Sequence, residues 1–156
     1  GTLLLDLLTL SEDMDYQTRS NIPLLTHRLR VATRWVKQHQ PTRHLPIGYF
    51  GASTGAAAAL QAAAALGEGV CAVVSRGGRP DLAGSHELMR VKSPTLLLVG
   101  GRDDEVIELN REAHEWLPCT KELSIIPGAT HLFEETGTLE EVARQATAWF
   151  NQYLKT

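Results

Sequence analysis

Short apolar runs recur along the chain, separated by turn residues and by longer segments with helical periodicity. The runs at 2–8, 45–50, 70–75, 95–99 and 122–126 predict β-strands. The first is an almost unbroken leucine run, which is typical of a strand buried on both faces of a sheet. We therefore expect a sheet of about five strands whose residues are mostly buried.

The segments between the predicted strands carry apolar residues at the spacing of a helix. Pro23 can start the first helix, an alanine-rich helix follows at 56–66, and another is predicted at 106–117. The last helix is predicted to begin at a capping box over 138–141. Alternating strands and helices predict an α/β fold, a three-layer αβα sandwich with a mainly parallel sheet, in one domain over residues 1–156.

Composition excludes several classes of partner. The net charge of −3 provides no basic surface for nucleic acid. Cys71 and Cys119 have no metal-ligand spacing and form no disulfide framework, which fits a reducing cytoplasm. The apolar tract at 56–66 is too short to span a bilayer and is interrupted by Gln61. We expect a cytoplasmic protein without nucleic-acid or membrane partners.

The turn between the second predicted strand and the alanine-rich helix contains the pattern G-x-S-x-G, with Ser53 at its centre. A strand before and a helix after this pattern are typical of a nucleophile elbow, which holds a serine hydroxyl clear of the backbone. The alternative is a glycine-rich turn with an incidental serine. Gly51 and Gly55 are expected to face each other across the turn, where a Cβ would cause crowding. The N–H of Thr54, at the helix N-terminus, is the predicted oxyanion donor.

Two further residues that could act with Ser53 follow later strands. Asp103 comes after the run at 95–99, and His131 comes after the run at 122–126. The carboxyl ends of parallel strands meet at one edge of a sheet, and the chain order Ser, Asp, His is that of an α/β-hydrolase triad. A histidine oriented by a carboxylate can take the proton of a serine hydroxyl near neutral pH. Asp103 could instead cap the next helix, His131 could be a surface residue, and Asp81 is the second candidate for the acid.

Arg76 and Arg79 flank a glycine pair after the third predicted strand. Their guanidinium groups could bind a substrate carboxylate or phosphate. Alternatively, either arginine could pair with Asp81 in a structural turn. The loop at 76–93 is too short for a cap domain, so we expect an open site for small substrates.

The stretches at 48–55, 75–81, 96–103 and 127–131 resemble those of α/β-hydrolases, in particular the dienelactone-hydrolase-like branch of bacterial proteins. The resemblance covers essentially the whole chain. It implies hydrolysis of esters or lactones with no metal or organic cofactor. Dienelactone hydrolase proper uses a cysteine nucleophile, whereas this chain has Ser53, which favours a general esterase over a dienelactone substrate.

The resemblance also implies that the chain lacks the N-terminal strands of the family fold. One of those strands carries an oxyanion loop and would lie between the first two predicted strands, so we expect either a closed gap or an exposed sheet edge. An exposed edge would favour a homo-oligomer. The alternative to a serine hydrolase is therefore a weak or inactive truncated fold that acts as a binding or assembly module, or as part of a larger enzyme.

Overall fold

The computed structural model describes residues 1–155 and shows an α/β fold with a parallel sheet of four strands. The strands are β1 (Gly48–Ala52), β2 (Ala72–Arg76), β3 (Thr95–Gly100) and β4 (Lys121–Ile126). The α-helices are α1 (Leu10–Asp13), α2 (Tyr16–Arg19), α3 (Ile22–Gln38), α4 (Thr54–Leu66), α5 (Ser85–Leu88), α6 (Asp104–Trp116) and α7 (Thr138–Tyr153). Short 3₁₀ helices lie at Gly67–Gly69 and Pro80–Ala83. The predicted three-layer arrangement is confirmed.

The strands follow one another across the sheet in chain order, β1 to β4, and every pair is parallel. Alternate residues of each strand enter opposite hydrophobic cores, as the period of two requires. Val73 and Leu97 pack in the core beneath α3, α4 and α6, while Val74 and Leu98 pack in the core beneath α7. Burial on both faces explains the apolar runs Ala72–Val74 in β2 and Leu96–Val99 in β3.

The predicted strand at 2–8 is wrong. These residues form neither strand nor helix, and the leucines at its centre are exposed, with Leu4 89% accessible. A strand requires a neighbour for its N–H and C=O groups, and within residues 1–155 this segment pairs with no strand, not even the open edge of β1. The C-terminal end of this segment is held by side-chain contacts instead. Leu7 and Leu8 pack against the core, and Arg28 on α3 donates a hydrogen bond to the carbonyl of Leu7 at 2.8 Å.

Strand β1 is consequently an edge of the sheet. Among the described residues it pairs only with β2, and the side chain of Phe50 is 51% exposed. Of the two expected arrangements, a closed gap or an exposed sheet edge, the structure has the exposed edge. An unpaired strand edge is a template for pairing with another chain.

Helix α4 packs closely against the sheet because its alanines add almost no bulk. Most of its residues are buried, and Ala56, Ala57 and Leu60 are 0% exposed. This close packing fixes the position of its N-terminus, which lies directly after β1. No helix within residues 1–155 is long and apolar enough to cross a membrane.

The predicted capping box at the start of α7 is wrong. The residue that caps the helix is Gly137, whose φ of 83° is in the left-handed region, and its N-terminus has no side-chain cap. The hydroxyl of Thr138 instead donates to the carbonyl of Glu135 at 2.7 Å. This hydrogen bond fixes the loop that leads from β4 into α7, and His131 lies in that loop.

Candidate active site

Ser53 connects β1 to α4 in a strained backbone conformation. Its φ of 49° and ψ of −124° lie outside the regions that side-chain-bearing residues usually occupy. Such conformations cost on the order of 1–3 kcal/mol and persist where the surrounding structure imposes them. Here β1 is fixed by its pairing with β2, and α4 is fixed by its buried alanines. The turn between them is therefore held rigidly, with Ser53 at its apex.

The two glycines of the turn play different parts. A Cβ on Gly51 would lie 2.6 Å from the carbonyl oxygen of Gly55 and 2.7 Å from the Cα of Ala56, so the backbone leaves no room for one. A Cβ on Gly55 would meet nothing within 4 Å. The predicted crowding is confirmed for Gly51 and is wrong for Gly55. A side chain at Gly51 would point at the backbone of Gly55 and Ala56, whereas a side chain at Gly55 would point into open space.

We expect Gly51→Ala to destabilise the fold by about 3 kcal/mol, since backbone atoms must move to admit the methyl group. Gly55→Ala is the matched control. It lies in α4 with open space around it and should be neutral or stabilising by up to about 1 kcal/mol. Urea unfolding of both variants measures the difference. Equal stabilities would show that the turn is not tight at Gly51.

Asp103 and His131 are brought together at the carboxyl ends of β3 and β4. Asp103 Oδ2 lies 2.6 Å from His131 Nδ1, a hydrogen-bond distance. Because a carboxylate only accepts, the proton of this bond belongs to Nδ1, which leaves the lone pair of a neutral imidazole on Nε2. The Asp103 side chain is largely buried, and that of His131 is partly exposed. Asp104 begins α6 and is exposed.

The loop that carries His131 is fixed by a carboxylate that the sequence reasoning missed. Glu135 accepts hydrogen bonds from the backbone N–H of Thr130 at 2.9 Å and from its hydroxyl at 2.6 Å. These bonds, led by the one from the hydroxyl, hold the pKa of Glu135 below its usual value. The ionised carboxylate thus restrains the residue directly before His131.

The arginines proposed for substrate binding lie in different environments. Arg79 forms a two-pronged ion pair with Asp81, at 2.9 and 2.8 Å, which is the alternative that the sequence left open. The carboxylate of Asp81 therefore pairs with Arg79, and the carboxylate that bonds the ring of His131 is that of Asp103. Arg76 lies 5.5 Å from the centre of the Phe133 ring, and partial burial lowers the pKa of its guanidinium.

Ser53, Asp103 and His131 line one cavity of about 240 Å³. The cavity is open to solvent and also has these lining residues: Arg79, Glu105, Val106 and Leu109. Thr54 is the first residue of α4, so its N–H has no partner within the helix. Within residues 1–155 there is no cluster of three or more histidine, cysteine or acidic side chains that could hold a metal ion.

Comparison with known proteins gives relatives along nearly the whole chain. A solved dienelactone hydrolase from Anabaena variabilis is 55% identical, superposes with a TM-score of 0.90, and is matched over 96% of this chain and 71% of its own. A Mycobacterium tuberculosis protein named as a candidate phosphoribosyl transferase is 55% identical over 154 residues, which are 99% of this chain and 34% of that protein. An esterase domain from Rhodothermus marinus is 22% identical, with a TM-score of 0.72 over 83% of this chain and 69% of its own. No protein-family profile matches the chain.

The parallel sheet and the hydrolases and esterases that superpose on it define an α/β-hydrolase fold. The chain belongs to the dienelactone hydrolase family, since it is 55% identical to the Anabaena protein and spans 71% of that chain. It spans about a third of the length of the curated relative from Mycobacterium tuberculosis, 34%.

Proposed function

We propose that the protein is a serine hydrolase of small carboxylic esters or lactones, acting through a Ser53–His131–Asp103 triad. The observation that carries this proposal is the 2.6 Å hydrogen bond between Asp103 and His131 in the cavity that Ser53 also lines. The strained elbow and the family relationship support it.

The roles follow from the donors and acceptors at the site. His131 Nε2 takes the proton of the Ser53 hydroxyl as the Ser53 oxygen attacks the ester carbonyl. Asp103 holds the ring in the required tautomer and stabilises the imidazolium. The Thr54 N–H donates to the oxyanion of the tetrahedral intermediate. His131 then protonates the leaving alkoxide, and the ester bond breaks to give an acyl-enzyme. Water hydrolyses the acyl-enzyme with His131 again as base, which restores the Ser53 hydroxyl.

The cavity favours short substrates. Its volume of about 240 Å³ is smaller than the pockets that enclose drug-sized ligands, and Val106 and Leu109 provide apolar contact for an acyl chain. We propose that Arg79 can bind a substrate carboxylate, in competition with Asp81. Arg76 lies against Phe133, outside the cavity lining, and would act on larger substrates only.

A series of p-nitrophenyl esters tests this function. We expect turnover of the acetate to exceed that of the octanoate, because the cavity accommodates a short acyl chain. The Ser53→Ala variant measures the background rate for each ester. Turnover of every ester at the background rate would contradict the proposal. It would favour the alternative, in which the fold serves as a binding module or as one part of a larger enzyme.

We also propose that this chain alone is a weak catalyst, because the described residues supply one identified oxyanion donor, the Thr54 N–H. Losing one such donor typically costs about 10²–10³ in kcat. Rates equal to those of longer relatives on the same esters would contradict this, and would indicate a second donor within 1–21.

We further propose that the chain self-associates through the free edge of β1. Phe50, half-exposed on that strand, would be covered by a second copy. Light scattering should give a mass above that of the monomer, and Phe50→Lys should lower it. Leu139→Lys on α7, another half-exposed apolar residue, is the matched control and should leave the mass unchanged. A monomer at all concentrations would contradict the proposal.

A further inference from the structure

The loop over 77–79, directly after β2, contacts the elements that carry Ser53 and His131. The backbone N–H of Arg79 donates to the carbonyl of Ser53 at 3.0 Å. Gly77, with a φ of 51°, lies against the histidine: a Cβ there would be 3.2 Å from the His131 carbonyl oxygen and 3.7 Å from its Nδ1. The same loop thus adjoins the proposed nucleophile on one side and the proposed base on the other.

The position of this loop depends on Asn110, a residue of α6 that is 0% exposed. Its Nδ2 donates to the carbonyl of Gly78 at 3.0 Å and to the carbonyl of Val106 at 2.8 Å. The first bond connects two separate parts of the chain, since Asn110 and Gly78 are 32 residues apart. Asp103, the proposed acid, directly precedes the same helix, and its side chain bonds His131 rather than the helix N-terminus. The bond from Asn110 therefore ties the helix of Asp103 to the loop beside Ser53 and His131.

Asn110 is an unfavourable residue for a purely structural position. It lies on the apolar face of α6 with Val106 and Ala113, and its Oδ1 is buried without a hydrogen-bond partner within residues 1–155. An unsatisfied buried amide oxygen costs about 1–3 kcal/mol. A leucine has the same branching and would avoid that cost, but it would leave the Gly78 carbonyl without the donor that Asn110 supplies.

We propose that Asn110 is a positioning residue for the hydrolytic site. By fixing the Gly78 carbonyl, it orients the Gly78–Arg79 peptide, whose N–H meets the Ser53 carbonyl, and it holds Gly77 against the imidazole of His131. This inference rests on the proposed function, since it assigns Asn110 a role at that same site. Asn110 does not line the cavity and acts through the loop.

Asn110→Leu tests the proposal, because it removes the donor while keeping the side-chain shape. We expect kcat for p-nitrophenyl acetate to fall about 10–100-fold with KM within about twofold, since small misplacements of reacting groups cost that much. The urea midpoint should change little, because the loss of the donor to the Gly78 carbonyl is offset by removal of the buried unpaired oxygen. Glu112→Gln, on the exposed face of the same helix, is the control and should behave as wild type.

A second measurement separates this proposal from the proposed function. The Nδ1 proton of His131, bonded to Asp103, should give a downfield proton NMR signal in wild type that broadens or shifts in Asn110→Leu. If the wild-type protein shows no Ser53-dependent turnover, the proposed hydrolase function fails, and the role of Asn110 is then decided by the NMR signal alone.

The positioning role would be overturned if Asn110→Leu left the NMR signal of His131 unchanged. It would also be overturned if the wild-type protein were active and Asn110→Leu had the same kcat. Should Asn110→Leu not fold, Asn110→Ser takes its place, since its hydroxyl can bond Val106 but is too short to reach Gly78.

Discussion

Replacing Ser53 with alanine is expected to reduce turnover of p-nitrophenyl acetate by at least about 10³-fold. The substitution removes only the hydroxyl group, which is the proposed nucleophile, and keeps the Cβ. The backbone strain at this position is as acceptable to alanine as to serine, so the fold should be retained. Steady-state rates and urea unfolding of the same preparation measure both quantities.

Ser85→Ala is the matched control for this substitution. Ser85 is exposed at the start of α5 and does not line the cavity, so its loss should leave the rate unchanged. A folded Ser53→Ala variant with wild-type turnover would show that another group, or surface hydrolysis, accounts for the activity.

Asp103→Asn is expected to lower kcat by about 10³–10⁴-fold with little change in stability. An asparagine at this position can donate its amide N–H to Nδ1, which stabilises the tautomer whose Nε2 carries the proton. His131 could then no longer take a proton from Ser53. Asp104→Asn changes the neighbouring carboxylate, which is exposed at the start of α6, and should cost less than about threefold.

The comparison of these two variants measures the assignment of the acid. A larger loss in Asp104→Asn than in Asp103→Asn would contradict it. Asp81→Asn provides a third measurement, since it breaks the ion pair with Arg79 and leaves the Asp103–His131 bond intact. We expect it to alter KM for anionic esters more than kcat.

The sequence was sufficient to predict elements whose signal is local. The strands β1 to β4 lie within or beside the predicted runs, and β2 and β3 are mostly apolar because both of their faces are buried. The residues at the strand ends could be predicted to converge because the sheet is parallel. Asp103 and His131 are 28 residues apart in the chain and 2.6 Å apart in the structure.

The errors fall where the structure depends on distant residues. The leucine run at 2–8 has the composition of a strand, but within residues 1–155 it pairs with no strand, and its end is held by α3 instead. At Gly55 the pattern indicated crowding, whereas the Cβ direction of this residue points into open space. Thr138 carries the signature of a capping box, yet its hydroxyl bonds the carbonyl of Glu135.

Two contributors to the site were not predicted, although the sequence holds a signal for one of them. Asn110 is a polar residue on the apolar face of a predicted helix, between Val106 and Ala113, and such a position indicates a specific buried hydrogen bond. Glu135 has no comparable signal. Its role depends on how the loop after His131 folds back on Thr130, which only the structure shows.

The central claim is that Ser53 is a nucleophile activated by His131. Labelling with a fluorophosphonate probe, followed by intact-mass and peptide analysis, tests it most directly, because such probes form an adduct only with an activated hydroxyl. We predict a single adduct on Ser53 in wild type, loss of the adduct in Ser53→Ala, and strongly slowed labelling in Asp103→Asn. No adduct on the folded wild-type protein, or an adduct on another residue, would contradict the account.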